Sequence, residues 1–437
     1  MEDFQSLKKK ANDLRKAKSY EKALTEYKIL WEDYHDSCNE WEGWGYALCL
    51  KHTKNYIKAL EICREVYKLN PEFNNIKGVY AWCIYYTEIA VLNIKDENKF
   101  FKAGEAILKL TTQDDQYSPY TLAAMKILKY LSKKEPFQHD KILEWTNKLN
   151  PDLLNNLPYK PEISDGKIKE LASEQEQYYM WRTKALYKKG CYKDCIDLCN
   201  KALVSFEKFH YDNDIWFTRR ITLSNKELGN SENALQQLKE ILKKKNQWFI
   251  QYEIAQIYIE QNDLDEAKKF LIDACLNYGE SKNKIKLYIQ FADLLLNEGT
   301  LDDAKKLYEF VYHIRKTNEF KIDDELQKNI DKYNIDVTKT INLRDFERSL
   351  KTIWGNLKFA NKKEYVGTIK TILANRKAGF VRADSNKSYY FETRNFKGNQ
   401  DLIQVGQPVK FFLEEGFDAK KGLKTENAVN LRPQNSK

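Results

Sequence analysis

The sequence predicts a mainly α-helical protein, in which a solenoid of helical repeats is followed by a small five-stranded β-barrel. Three observations predict this fold class. Apolar residues keep helical spacing from about residue 4 to residue 318 and return with a period of about 34 residues. From Val366 onward the apolar pattern instead alternates, as it does in strands. Positive charge is concentrated after residue 360, so the two parts also differ in chemistry.

The helical part repeats a pair of helices, and a small residue opens the second helix where the two cross closely. These small residues are Ala23, Ala59, Cys195, Ala234, Ala267 and Ala304. The first two are 36 residues apart, and the last three are separated by 33 and 37 residues. Residues 261–267 and 297–304 each fit a turn followed by a helix. From about residue 4 to residue 318 the chain resembles the tetratricopeptide repeat family, which implies an α-solenoid that binds a protein or peptide partner.

Proline placement predicts where the array divides. Five of the eight prolines fall between Pro119 and Pro161, and none recurs before Pro408. We therefore expect helical repeats over residues 1–150, an irregular linker over 151–166 and further tetratricopeptide repeats over 167–318. Residues 319–360 should form capping helices, the last of which ends before Gly355, and a hinge. Residues 361–437 should form the barrel.

The C-terminal module contains five strand candidates. They are residues 366–372, 378–382, 389–392, 409–413 and 425–431. Five short strands within about 65 residues suit a closed barrel of the OB type. Four motifs resemble those of cold-shock domains and follow one another in the family's order; they are residues 367–370, 376–381, 388–392 and 405–411. Residues 421–427 resemble the family's closing segment. The resemblance implies an OB-fold that binds single-stranded RNA or DNA.

The resemblance also implies which residues contact nucleic acid. Strand alternation places Phe380 and Arg382 on one face with Val381 on the other, and it points Tyr390 outward between Tyr389 and Phe391. Carried over from the family, Phe380 and Tyr390 are the stacking platforms for bases. The corresponding phosphate contacts are Lys370, Arg376, Lys377 and Arg382.

Three positions depart from the family pattern. Thr371 stands in place of the stacking Trp of the first strand, Ala378 in place of the first aromatic residue of the first motif, and Glu392 in place of the His of the second motif. Each stacked base contributes about 1–3 kcal/mol, so these departures predict weak or context-dependent binding. The alternative is that this surface contacts protein.

The charge distribution favours a polyanion partner at the C-terminal module. Residues 361–437 contain 15 Lys and Arg against 8 Asp and Glu, a net charge of +7, whereas the first 360 residues contain 58 against 56. Excess positive charge on one small domain is typical of nucleic-acid binding.

Catalysis, cofactors and metal binding are not expected. The five histidines are scattered, no glycine-rich phosphate loop occurs, and acidic pairs such as Asp302-Asp303 and Asp323-Asp324 suit helix starts. Cys191, Cys195 and Cys199 have helical spacing, but their repeat positions indicate packing. Eight dispersed cysteines, no apolar run of about 20 residues and no signal-peptide pattern at the start predict a cytoplasmic protein without a membrane span.

Together these features predict a non-enzymatic adaptor whose array binds a protein or peptide while its barrel contacts single-stranded RNA or DNA. The alternative is a protein-interaction scaffold, or a regulatory subunit of a larger nuclease or defence assembly, whose barrel docks protein.

Overall fold

A computed structural model describes residues 3–164, 167–360, 362–397, 403–418 and 423–434. The chain divides into two compact units, residues 1–237 and 238–437. The first unit is mainly helical, whereas the second contains both helices and the five C-terminal strands.

The first unit contains eleven complete helices in its described residues. They are α1 (Phe4–Lys16), α2 (Tyr20–Asp33), α3 (Glu40–His52), α4 (Tyr56–Leu69), α5 (Asn74–Ile84), α6 (Glu97–Leu110), α7 (Tyr120–Leu131), α8 (His139–Asn147), α9 (Glu174–Lys189), α10 (Tyr192–Ser205) and α11 (Asn213–Glu227). A further helix, α12 (Ser231–Lys244), spans the boundary between the units.

Local sequence explains where several helices begin. The Asp3 carboxylate accepts from the Ser6 amide at the start of α1, and Asn39 and Glu42 form a capping box at the start of α3. The small residues that define the repeat, Ala23, Ala59 and Cys195 among them, are completely buried. Helices therefore meet closely at these positions, as the sequence predicts.

The segment predicted as a linker has some regular structure. It contains a 3-10 turn (Pro151–Leu153) and a short antiparallel pair formed by β1 (Glu162–Ser164) and β2 (Lys167–Ile168). Asp165 and Gly166 lie outside the described residues. The division of the repeats at this segment stays a prediction.

The second unit contains six more helices. They are α13 (Trp248–Glu260), α14 (Leu264–Leu276), α15 (Ile285–Asn297), α16 (Leu301–Thr317), α17 (Asp324–Lys332) and α18 (Leu343–Phe359). Asp302 and Asp303 lie in the first turn of α16, and the Asp323 carboxylate caps α17 by accepting from the Leu326 amide, so both acidic pairs mark helix starts.

One boundary prediction is wrong. Helix α18 does not end before Gly355 but continues to Phe359. Burial of Leu350 and Trp354 fixes one face of this helix, and glycine costs a helix interior only about 1 kcal/mol, so packing outweighs the local preference.

Five strands follow: β3 (Tyr365–Ile372), β4 (Ala378–Ala383), β5 (Ser388–Glu392), β6 (Pro408–Asp418) and β7 (Leu423–Pro433). Each predicted strand is present. Hydrogen bonding joins them in the order β3-β4-β5-β7-β6, and β6 also pairs with β3, so the five strands form a ring. All neighbours are antiparallel except β5 and β7.

The interior of this ring is apolar. Its core includes Ile369, Val381, Phe391, Phe411 and other inward side chains that are completely buried. Every second residue along β4 and β5 points into it, because successive side chains of a strand face opposite sides. The predicted alternation of Phe380, Val381 and Arg382 is therefore confirmed.

Within the second unit, the ring is fixed to the helices at the end of α18. The Lys358 ammonium group lies 2.8 Å from the Asp273 carboxylate on α14 and 3.0 Å from the Glu414 carboxylate on β6. Next to it, the rings of Phe359 and Phe412 stack with centroids 4.5 Å apart. The strands are thus anchored by both charge and apolar contact.

Among the described residues, no helix combines the length and the apolar composition that a membrane span requires.

Candidate nucleic-acid interface

The outer face of β4 and β5 carries the two predicted stacking residues. Phe380 is 38 % exposed and Tyr390 is half-buried, whereas their neighbours Val381, Tyr389 and Phe391 point inward. Phe380 and Tyr390 are direct cross-strand partners. Their ring centroids are 5.8 Å apart and their planes meet at 72°. One ring therefore presents its edge to the other, and an incoming base that stacks on one ring can meet the edge of the other.

These two residues belong to a row that crosses the whole ring of strands. Register pairs Thr371 with Phe380, Phe380 with Tyr390, Tyr390 with Asn427 and Asn427 with Glu414. Neighbouring strands lie about 4.8 Å apart, so the row spans roughly 19 Å. It leads from a neutral residue through two aromatic rings to an amide and then to a carboxylate.

The four predicted phosphate contacts lie around one end of this row, and all are exposed. Lys370 occupies an irregularity in the β3–β4 register, and Arg382 lies on the same face of β4 as Phe380. Arg376 and Lys377 lie in the β3–β4 turn, where the Arg376 amide donates to the Leu373 carbonyl and Arg376 has a left-handed φ of 54°.

These four cations differ from most others of the ring. Lys387 pairs with Glu426, Arg394 with Glu392, and Lys362 with Glu414. Lys370, Arg376, Lys377 and Arg382 have no carboxylate within ion-pair distance in the part of the chain that the structure describes. Their charge is consequently available to a polyanion.

The departures from the cold-shock pattern have distinct surroundings. Thr371 is exposed beside Phe380, so the row begins without a ring. Ala378 is buried and offers no outer surface. Glu392 forms an ion pair with Arg394 and adds negative charge below Tyr390.

A cavity of about 200 Å³ with three carboxylates in its walls adjoins Tyr390 at the other end of the row. Its walls include Glu392, Glu414, Glu415, Arg394 and Asn427. Each carboxylate has a cationic partner: Arg394 for Glu392, Lys358 and Lys362 for Glu414, and Lys424 for Glu415. The four cations that have no carboxylate partner among the described residues lie on the β3–β4 side, so a bound strand should keep its backbone there. The sequence did not predict this cavity. It singled out Tyr390 and Glu392 for other reasons, and Asn427 lies in the segment that resembles the family's closing segment. Of that segment, Lys421 and Gly422 lie outside the described residues.

The other sequence candidates behave as packing residues. Cys195 and Cys199 are completely buried, and Cys191 is partly buried. Within the described ranges, no group of three or more His, Cys, Asp and Glu side chains is arranged to hold a metal ion.

The first unit also has a partly exposed group of three aromatic rings, of which Tyr86 is exposed and Tyr56 and Trp82 are half-buried. Tyr56 stacks on Tyr86 with centroids 4.3 Å apart, and Tyr86 stacks on Trp82 at 5.4 Å. Tyr86 lies in a π-helical turn, Tyr85–Ile89, that follows α5. Such turns are rare and are frequently found at functional sites. These three rings are a candidate contact for a protein or peptide.

Comparisons with known proteins do not identify a function for this chain. Residues 215–350, less than half of the chain, match the model of a domain of unknown function, DUF7017. A search of curated proteins gave no match.

Among solved structures, PilF of Pseudomonas aeruginosa is similar at 12% identity, with 67% of this chain and 97% of that chain covered and a TM-score of 0.27. The human IFIT1 dimer with PPP-AAAA is similar at 14% identity, with 80% and 85% covered and a TM-score of 0.36. TTC0263, a thermophilic tetratricopeptide repeat protein of Thermus thermophilus, is similar at 15% identity, with 59% and 99% covered and a TM-score of 0.23.

Proposed function

We propose that this protein is a non-enzymatic adaptor that holds single-stranded RNA, or DNA, on the outer face of β4 and β5 while its helical repeats bind a protein or peptide. The strand ring would act as a cold-shock-like OB barrel. One observation carries the proposal: two outward aromatic rings, Phe380 and Tyr390, lie beside four exposed cations of β3, β4 and the turn between them, which have no carboxylate partner among the described residues.

The chemistry of single-strand binding requires both groups. Aromatic faces accept unpaired bases, and each stacked base contributes about 1–3 kcal/mol. Lysine and arginine neutralise phosphates and displace the counterions of the strand. With two rings instead of the family's larger set, the face suits a short segment held with modest affinity.

The anchored ring supports an adaptor role. Because Lys358 and the Phe359–Phe412 stack fix the strands to α18, RNA held on the ring would have a defined position relative to helices α13–α18. A partner that binds these helices of the second unit would then be held near the RNA. The eight cysteines are all free, which supports a reducing compartment such as the cytoplasm.

The test is binding of a labelled single-stranded RNA by the full chain at low salt, followed by fluorescence anisotropy. We compare Arg382→Gln with Lys387→Gln, because both remove one exposed cation of the ring but only Lys387 has a carboxylate partner among the described residues. Arg382→Gln should weaken binding more than Lys387→Gln does. It should also make the negative slope of log K against log salt shallower by about 0.7, the contribution of one phosphate contact. Equal effects of the two variants, or no binding by the native chain, would contradict the proposal.

A pull-down after nuclease treatment separates the adaptor from the scaffold alternative. In an adaptor, the partner of the repeats stays bound while RNA is lost, and Arg382→Gln leaves the protein partner in place. Loss of a protein partner through Arg382→Gln would favour a ring that docks protein.

A further inference from the structure

We propose that the cavity between Tyr390, Glu392 and Asn427 binds a guanine base, so that this face binds single strands that contain a guanine more tightly than strands that lack one. This inference rests on the proposed function, because it assigns a base to the acidic end of the same face. It concerns the part of the row that the four cations do not reach.

The position of the cavity fixes which part of a nucleotide can enter it. Tyr390 forms one wall, and Asn427 is its direct partner across the parallel β5–β7 pairing. The unpaired cations lie toward the opposite end of the row, at β3 and β4. A strand whose phosphates lie against those cations therefore presents a base, and not its backbone, to the carboxylates beyond Tyr390.

The Asn427 side chain is held in place by its surroundings. A Cβ atom at Gly416 would lie 2.2 Å from Asn427 Nδ2, so only glycine at that position leaves room for this amide to lie across β6. The Thr425 hydroxyl donates to Asn427 Oδ1 at 3.4 Å. This contact orients the amide with Nδ2 as the group that remains to donate to a ligand.

The carboxylate of Glu392 supplies the complementary acceptor. It lies two residues beyond Tyr390 on the same face of β5, and Arg394 contacts only its Oε2 atom among the described residues. Glu414 has two cationic partners, Lys358 and Lys362, at the junction with α18, and Glu415 pairs with Lys424. Of the three carboxylates, Glu392 is the one on the same strand face as Tyr390, so it is placed to meet a base that stacks on that ring.

Guanine matches this set of groups better than the other bases. Its Watson–Crick edge has two adjacent donors, N1–H and the N2 amine, which a carboxylate accepts in a two-point arrangement. The same edge has an acceptor, O6, for Asn427 Nδ2. Uracil, cytosine and adenine lack the pair of adjacent donors, so they cannot satisfy Glu392 in the same way.

The experiment measures binding of the full chain to octauridine and to the same oligonucleotide with a single central guanine, adenine, cytosine or inosine. We expect the guanine substitution to tighten binding about 10-fold, at the low end of the 1–3 kcal/mol that a two-point base contact provides. Adenine and cytosine should give little gain. Inosine, which lacks the N2 amine, should lose most of the guanine advantage.

Two variants and one control test whether the cavity causes the tighter binding of guanine. Glu392→Gln and Asn427→Ala should each abolish the guanine advantage while octauridine still binds. Glu426→Gln, the same charge change on β7 where Glu426 pairs with Lys387, should retain it.

Native chain that binds octauridine without a guanine advantage would overturn this inference and leave the proposed function standing. An advantage that survives both variants would also overturn it. Failure to bind any of the oligonucleotides would overturn the proposed function itself.

Discussion

Phe380 and Tyr390 face each other across β4 and β5 with ring centroids 5.8 Å apart and planes inclined at 72°. Neither ring lies on the apolar interior, which is closed by Val381, Tyr389 and Phe391 on the same two strands. The pair therefore contributes little to the ring's core and much to its outer surface. This separation allows its binding role to be tested without unfolding the strands.

Phe380→Leu should weaken RNA binding roughly 5- to 150-fold, because leucine keeps an apolar contact with Tyr390 but provides no aromatic face for a base. The free energy of unfolding should fall by no more than about 0.5–1.5 kcal/mol, the contribution of an aromatic pair. Anisotropy and urea unfolding measure the two quantities. A loss of affinity that merely follows a loss of folded protein would argue against stacking.

Lys358→Met should loosen the strand ring from α14 and α18. The change leaves the Asp273 and Glu414 carboxylates without their shared partner, and we expect a cost of roughly 1–3 kcal/mol, between the values for exposed and buried pairs. Hydrogen exchange should increase at the end of α18 and the start of β3. The control is Lys351→Met, because Lys351 is on the same helix and pairs with Glu347. This variant should not change hydrogen exchange at the end of α18 or at the start of β3. Equal exchange in the two variants would show that Lys358 is not the anchor.

His210 gives the first unit a dependence on pH. Its Nδ1 atom lies 2.8 Å from Glu176 and its Nε2 atom 3.0 Å from Glu170, which also pairs with Lys208 and Lys160. Burial opposes charge on the imidazole, but the hydrogen bonds to Glu176 and Glu170 outweigh it and raise the pKa of His210.

Because the pKa of His210 is raised in the folded state, its stabilisation is fully present below the unfolded pKa of about 6.5 and is lost as pH rises through the folded pKa. The free energy of unfolding should thus fall as pH rises above about 6.5, and His210→Gln should reduce this fall. Urea unfolding at several pH values measures this fall. An equal fall for the native chain and for His210→Gln would show that His210 does not cause it.

Lys284 should have the opposite effect in the second unit. Its buried ammonium group donates to the carbonyls of Ala274 and Cys275 at 3.0 and 3.3 Å, and burial lowers the pKa of Lys284 to about 8. An unfolded lysine has a pKa of about 10.4, so between these values the unfolded chain binds more protons and stability rises with pH.

The pH dependence of Lys284 can be isolated by subtraction. The difference in unfolding free energy between the native chain and Lys284→Met should grow by roughly 3 kcal/mol from about pH 7.5 to about pH 10.5. Lys282→Met, whose exposed side chain pairs with Glu280 in the same turn, is the matched control. A difference that stays constant would show that burial does not disfavour the charged form of Lys284.

Sequence patterns predicted the strands and their outer face because both depend on neighbours along the chain. Alternation alone places Phe380 and Tyr390 outward, and the small residues that open the second helices predict the close helix contacts. The acidic end of the face was not predictable in this way. It depends on β7 inserting between β5 and β6, which brings Asn427 and Glu414 next to Tyr390 from distant parts of the sequence.

The same limit applies to the buried polar groups. His210 contacts Glu170 and Glu176, which lie 40 and 34 residues away in the sequence. Lys358, on helix α18, contacts Glu414, on strand β6. No local period encodes such pairs. Gly355 failed as a helix terminator for a related reason, since burial of Trp354 one residue earlier outweighs its local preference.

Ultraviolet crosslinking of uridine-rich single-stranded RNA to the full chain, with the modified residue identified by mass spectrometry, tests most directly whether bases stack on the outer face of β4 and β5. Adducts should form on Phe380 or Tyr390; Arg382→Gln should reduce them, and Lys387→Gln should leave them in place. Adducts confined to the helical repeats, with bound RNA and an unmodified β4–β5 face, would contradict this prediction.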